Sequence, residues 1–297
     1  MSTSESKRIA VVGAGGVGGV FAAHLSAAHE VLACVRRPFE RYRIESPKIP
    51  FDGPADVCTS ADDVPWDGPA DAVFVGLKAQ HTAGASPWFD RLCGPETLVV
   101  AMQNGIEAEQ RLTPLVNGAT VVPSVVYCGA ELLAPGHVRH SSSSLLIVAD
   151  DEAGHRAAEL VGDTPLTIKP SADVITAAWT KLGVNSAANG LTGLLQEPMG
   201  VLAEPGVASI ANKLLTECWT IGNRFGADLD LDGIPTVIAQ MADNNGRTSM
   251  QQDVEAGKPT EHDAIHGAVI RHGDQQGLPT PMTTIIHDLI AAKSARL

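Results

Sequence analysis

At 297 residues with a net charge of -13, the chain exceeds an ordinary single domain and would repel the phosphate backbone of a nucleic acid. Its cysteines, Cys34, Cys58, Cys93, Cys128 and Cys218, are odd in number and never spaced CxxC, which fits free thiols in a reducing cytosol rather than a disulfide frame or zinc site. The start, Met1 to Arg8, is polar, and no run reaches the ~20 apolar residues of a membrane span, so a cytoplasmic protein of two domains is expected.

In chain order, the strand-like run Arg8 to Val12 leads into Gly13-Ala14-Gly15-Gly16-Val17-Gly18-Gly19, then an apolar helix from Val20 to Ala28 and a second strand, Val31 to Val35. Gly13 permits a tight strand-to-helix turn, Gly15 lets main chain approach a pyrophosphate, and Gly18 allows close packing of helix on strand. N–H groups at the helix start then face the phosphates. Arg36 and Arg37 stand where a carboxylate would bind a ribose hydroxyl, and guanidinium there favours the 2′-phosphate of NADP(H) over NAD(H).

Pro38 to Asp67 reads as loops around a weak strand near Ala55-Asp56-Val57-Cys58. Buried strands follow at Asp71 to Leu77, Thr97 to Ala101 and Ala119 to Val122, separated by helix-length segments, Thr82 to Leu92 and Ile106 to Leu115. This alternation builds a parallel sheet. Val125 to Val148 has no room for helices and predicts antiparallel strands extending one edge of that sheet. A helix at Asp151 to Leu160, a last strand at Leu166 to Ile168 and a switch point at Pro170-Ser171 divide the chain into domains 1–169 and 170–297. Beyond that point Val207, Ile210, Leu214, Cys218 and Ile221 recur at helical spacing, and Gly277 to Pro281 introduces a terminal helix from Met282 to about Ala295. The second domain is expected to be all helical, close-packed on the first, with substrate in the crevice between them.

Hydride delivery to a carbonyl requires a donor for the developing alkoxide. Lys181, Asn185 and Asn189 follow i, i+4, i+8 spacing on a predicted helix, so one face carries an ammonium and two amides suited to a polar oxo-acid. The alternative is a solvated polar stripe. A second cluster runs from Thr248-Ser249 to Pro259-Thr260-Glu261, where Thr260 would cap a helix carrying Glu261 in its first turn. Leu77-Lys78 and Gln103-Asn104-Gly105 lie at carboxyl ends of parallel strands, where ligands bind in such folds. His262 and His266 share a spacing used by metal sites, but no third ligand accompanies them, and no metal is expected.

Taken together, Gly13 to Gly18, Arg36, Gly76-Leu77-Lys78-Ala79, Gln103-Asn104-Gly105, Lys181-Leu182 with Asn185 and Asn189, Ser249 to Asp253 and Pro259-Thr260-Glu261 resemble the ketopantoate reductase family over nearly the whole chain. The resemblance implies an α/β N-terminal Rossmann-like dinucleotide-binding domain and an all-α C-terminal domain of the 6-phosphogluconate dehydrogenase C-terminal-like kind. It also implies NADPH-dependent reduction of 2-dehydropantoate to (R)-pantoate. Lys181 then resembles the general acid and Glu261 the carboxylate that contacts substrate and supports it. Asn185, Asn189 and Ser249 resemble substrate contacts, Lys78 and Asn104 lie between nicotinamide and substrate, and Arg36 resembles the 2′-phosphate ligand. Gly13, Gly15, Gly16, Val17 and Gly18 form the expected pyrophosphate loop. Two departures, Gly190 where proline is expected in close relatives and Asp243 to Arg247 before Ser249, leave open another 2-oxo acid as substrate. A non-catalytic NADPH-binding sensor is a further alternative, and a homodimer through the helical domain is expected.

Overall fold

The computed structural model describes residues 6–162 and 164–297; the first five residues of the polar start lie outside them. These residues form two compact units, one of residues 6–103 and 108–174, the other of residues 104–107 and 175–297.

The first unit holds β1 (Arg8–Val12), α1 (Gly16–Leu25), β2 (Glu30–Cys34), β3 (Arg41–Glu45), β4 (Phe51–Pro54), β5 (Asp56–Cys58), β6 (Ala72–Val75), α2 (Ser86–Leu92), β7 (Leu98–Ala101), α3 (Ala108–Leu112), β8 (Thr120–Pro123), β9 (Val125–Ala134), β10 (His137–Ala149), α4 (Glu152–Glu159) and β11 (Thr167–Ser171). Its main sheet, in the order β5-β2-β1-β6-β7-β8, is parallel throughout. Both faces are covered. Ile9 and Val11 of β1 pack with Phe21 of α1, while Ala10 and Val12 pack on the opposite side with Phe89 and Leu92 of α2 and Leu112 of α3. This two-sided burial explains why the strands read as continuous apolar runs.

Two expectations are corrected here. The stretch from Pro38 to Asp67 is not loop around one weak strand. It supplies the hairpin β3–β4 as well as β5. The alternation in Arg41-Tyr42-Arg43-Ile44-Glu45 buries Tyr42 and Ile44 and leaves the charges outside, so arginine and glutamate mask a half-buried strand. The antiparallel strands β9 and β10 are present, but they do not extend the main sheet. They belong to a second sheet, β11-β10-β3-β4 with β9 on β10, whose Val138, Leu146 and Val148 share a core with α1. The helix-length segment from Thr82 to Leu92 is a 3-10 turn, Ala83–Ala85, followed by α2, and a further 3-10 turn, Ala79–His81, precedes it. Pro170 and Ser171 pair with Val148 and Ala149 in β11.

The second unit is helical, as expected: α5 (Val174–Leu195), which begins at the last residue of the first unit, α6 (Pro205–Arg224), α7 (Ile234–Asp243), α8 (Ser249–Glu255), α9 (Ala268–Gln276) and α10 (Pro281–Ser294). Leu214, Cys218 and Ile221 of α6 are buried, as their spacing requires, and Trp219 is buried with them. A β-carbon at Gly183 of α5 would collide with the Trp219 indole, so this glycine sets the approach of α5 and α6. Trp179 stacks on Phe225 with ring centroids 5.6 Å apart. The Glu217 carboxylate of α6 accepts from the Met282 and Thr283 N–H groups, both at 2.8 Å, and fastens the start of α10.

Within the first unit, Gly13 adopts φ +91°, and a β-carbon at Gly18 would overlap the Gly13 carbonyl. Gly18→Ala should destabilise that unit by about 1–3 kcal/mol through main-chain overpacking, read as an earlier transition in urea unfolding; an unchanged transition would show that the turn yields.

Candidate functional site

The turn from β1 to α1 has the form that the glycine spacing predicts. The Gly13 N–H donates to the Cys34 carbonyl at 2.9 Å, tying the turn to β2. A β-carbon at Gly76, after β6, would lie 2.6 Å from the Gly13 carbonyl and 2.9 Å from the Gly18 α-carbon, so three glycines meet through main-chain atoms. Gly15 instead faces open space, which suits a glycine that admits a ligand. No side chain caps α1, so its first-turn N–H groups remain suited to an anion. Gly16 packs on the Ala130 carbonyl of β9, and Val17 is half-buried against the core. Arg36 and Arg37 are exposed immediately beyond β2, and Lys78 stands half-buried after β6. These residues fit a phosphorylated dinucleotide.

Gln103, named in the sequence only as part of the polar spot Gln103-Asn104-Gly105 and given no role of its own, has a buried amide that organises this unit's loop after β6. It donates to the Leu77 carbonyl at 3.0 Å and to Thr82 Oγ1 at 2.8 Å, fixing the turn that carries Lys78. Its place beside Asn104 at a strand's carboxyl end was the available signal.

In the helical unit, the short segment 104–107 is held by three features. Ile106 packs into the helical core. Gly105, at φ +90°, leaves no room for a β-carbon against the Ala264 carbonyl. Buried Glu107 receives a bidentate pair from Arg271 of α9, at 2.9 and 2.7 Å, while Arg271 also donates to Asp263 at 2.8 Å. So anchored, the Asn104 amide donates to Glu261 Oε2 at 3.0 Å, and the Asn185 amide lies 3.5 Å from Asn104 Oδ1. Lys181 is half-buried on α5, one turn before Asn185. The structure therefore gathers Asn104, Asn185 and Glu261 in one chain of hydrogen bonds.

Asn189 and Ser249 form a neighbouring pair. Buried Asn189 Oδ1 accepts from the Ser249 hydroxyl at 3.2 Å and from the Met250 N–H at 3.1 Å, so it holds the start of α8. Thr248, not identified in the sequence as a cap, receives the Gln251 N–H at 3.2 Å and bonds Thr192 of α5 at 2.6 Å. The expected capping role of Thr260 is corrected. Its hydroxyl bonds His262 Nδ1 at 2.9 Å, and Glu261 precedes the helix rather than lying in its first turn.

Beyond Glu261 the chain enters a π turn, Asp263–Gly267, in which the Ala268 N–H reaches back five residues to the Asp263 carbonyl. It separates the two histidines read as a metal-spaced pair. His262 lies against His287, with ring centroids 5.2 Å apart, whereas His266 is fully buried and bonds the Ser186 carbonyl of α5 at 2.9 Å. That bond requires a proton on Nε2 and leaves Nδ1 without a hydrogen-bond partner. Among the described residues, no group of three or more His, Cys, Asp or Glu is placed to hold a metal ion, and no helix is long and apolar enough to cross a membrane.

Comparison with known proteins accounts for both units. A family model described as Ketopantoate reductase PanE/ApbA matches residues 9–152, and one described as Ketopantoate reductase PanE/ApbA C terminal matches residues 173–294. The chain is 34% identical to a 2-dehydropantoate 2-reductase of Caulobacter vibrioides, over 96% of this chain and 98% of that protein. It is also 34% identical to a 2-dehydropantoate 2-reductase of Mycobacterium tuberculosis, over 96% and 97% of the two chains. A crystal structure of a PanE/ApbA family ketopantoate reductase from Ralstonia eutropha is similar, with a TM-score of 0.86 at 28% identity, covering 97% of this chain and 98% of that one.

Burial lowers the His266 pKa to about 4, partly offset by its bond to Ser186. An unfolded imidazole titrates near 6.5, so between these values the unfolded chain binds the additional proton, and stability falls as the pH drops from about 6.5 toward 4. Thermal unfolding across that window should show a smaller loss for His266→Gln than for the natural protein. Equal losses would assign the acid sensitivity to other groups.

Proposed function

The chain belongs to the ketopantoate reductase family, and from that membership we propose that it reduces the 2-oxo group of 2-dehydropantoate to the hydroxyl of (R)-pantoate with NADPH. The observation that carries the reading is the bonded set Asn185, Asn104 and Glu261 in the helical unit, with Lys181 one turn away on the same helix as Asn185. Reduction of a ketone places negative charge on its oxygen, and a positioned acid removes it. Lys181 is the proton donor: its ammonium passes a proton from Nζ to that oxygen. The Glu261 carboxylate, oriented by the Asn104 amide, supports that lysine and contacts the substrate. Asn185, Asn189 and Ser249 supply amide and hydroxyl groups to the polar end of the oxo-acid.

The glycine loop Gly13 to Gly18 and the start of α1 would hold the pyrophosphate, with Lys78 and Asn104 toward the nicotinamide and Arg36 at the 2′-phosphate. Bound NADPH would supply the hydride. Gly190, where proline is expected in close relatives, supports a second reading in which the substrate is another branched or hydroxylated 2-oxo acid.

The test is loss of nicotinamide absorbance with a panel of 2-oxo acids that includes 2-dehydropantoate. Turnover is expected to be fastest with 2-dehydropantoate, and Lys181→Ala should slow it by about two to four orders of magnitude while NADPH still binds. A faster rate with another oxo-acid moves the substrate, and inactivity across the panel despite NADPH binding removes the enzyme reading in favour of a sensor. Arg36→Ala should weaken NADPH binding by about 1.5–3 kcal/mol, the worth of a charged hydrogen bond, and leave NADH binding nearly unchanged. Equal weakening of both dinucleotides in a titration would place the 2′-phosphate elsewhere.

A further inference from the structure

The helical unit contains a closed circuit of contacts. Glu261 accepts from Asn104, Asn104 accepts from Asn185, and Asn185 is followed on α5 by Ser186, whose carbonyl accepts from His266. His266 lies five residues beyond Glu261, so one end of a short segment bonds α5 directly at Ser186 while the other reaches the adjacent Asn185 through Asn104. In a regular α-helix, residues five apart point about 140° away from each other and could not both face α5. The π turn at Asp263–Gly267 narrows that divergence.

The fit around the imidazole is specific. His266 has no exposed surface. A β-carbon at Gly190 would lie 2.7 Å from His266 Nε2, and Ile286 closes the same space, so only a glycine at 190 leaves room for this ring against α5. The Ser186 carbonyl, already in the helical ladder, has a second lone pair for a side-chain donor. A leucine of similar size would fill the volume but leave the two segments without a directional bond.

We infer that His266 is a positioning residue for the reduction, clamping the Glu261-bearing turn to α5 so that the Glu261 carboxylate stays within reach of Asn104 and Asn185. The inference rests on the reductase reading for its kinetic consequence, but its structural consequence stands alone. The clamp acts through Glu261; the imidazole itself touches no reacting atom.

Three variants test it: His266→Leu removes the donor, His266→Gln keeps an N–H near the position of Nε2, and Gly190→Ala displaces the ring while retaining every polar side chain of the site. His266→Leu and Gly190→Ala should each lower kcat with the 2-oxo acid by about ten- to a hundredfold, the scale of an ångström of misplacement, with KM for NADPH unchanged. His266→Gln should recover to within about threefold of the natural enzyme. In crystals of His266→Leu or Gly190→Ala, the Asn104–Glu261 hydrogen bond should be broken. Undiminished kcat in either folded variant, a glutamine variant as slow as the leucine one, or an intact Asn104–Glu261 bond overturns the inference. The crystal comparison needs no turnover, so a natural protein inactive on every oxo-acid would remove the reductase reading and leave this test standing.

Discussion

The candidate site depends on the bidentate pair between Glu107 and Arg271. Glu107 is buried, and a carboxylate withdrawn from water needs a partner that satisfies both oxygens. Arg271 does so with a planar fork while reaching Asp263 with another nitrogen. A residue brought in from the middle of the chain is thereby locked to the segment just past Glu261. Asn104 inherits its position from this lock, since Gly105 and Ile106 leave the segment no alternative seat. The amide that orients Glu261 is thus held by a charged pair three residues along the chain.

The same economy recurs at α8. Asn189 spends its side-chain oxygen on two donors from the start of that helix, and Thr192 joins Thr248 one turn further along α5. One face of α5 therefore carries Asn185 and Asn189 and braces two other elements. Polar groups of this sort specify a unique packing because each loses its partner if the helices slip by a residue. Long-range amides and hydroxyls, rather than apolar contact alone, fix the site.

The legibility of the sequence followed the range of the interactions concerned. The glycine turn could be read because its reasons are local: positive φ at Gly13 and main-chain contact at Gly18 leave a mark within a few residues. The parallel strands could be read because burial on both faces imposes an apolar run. The i, i+4, i+8 spacing placed Lys181, Asn185 and Asn189 on one helix. The β3–β4 hairpin escaped because its outward positions are charged and its strands are short. Asn104 and Gly105 were read as part of a polar spot of the first domain and Ile106 as the start of one of its helix-length segments, since nothing in these few residues reveals an arginine partner more than 160 positions away. The π turn escaped for a similar reason: no composition marks an i→i+5 bond, and His262 and His266 looked like helical neighbours until it separated them.

The contact among Gly13, Gly18 and Gly76 has a consequence for cofactor engineering. Because Gly18 and Gly76 meet Gly13 through main-chain atoms, the shape of the turn from β1 to α1 is set largely by the backbone rather than by rotamer choice. On the proposed function, such a turn would hold the part common to all dinucleotides and would not tell them apart. On that same reading, a redesign aimed at exchanging one nicotinamide cofactor for the other would belong at the exposed arginines beyond β2, where side chains can be traded without disturbing the scaffold.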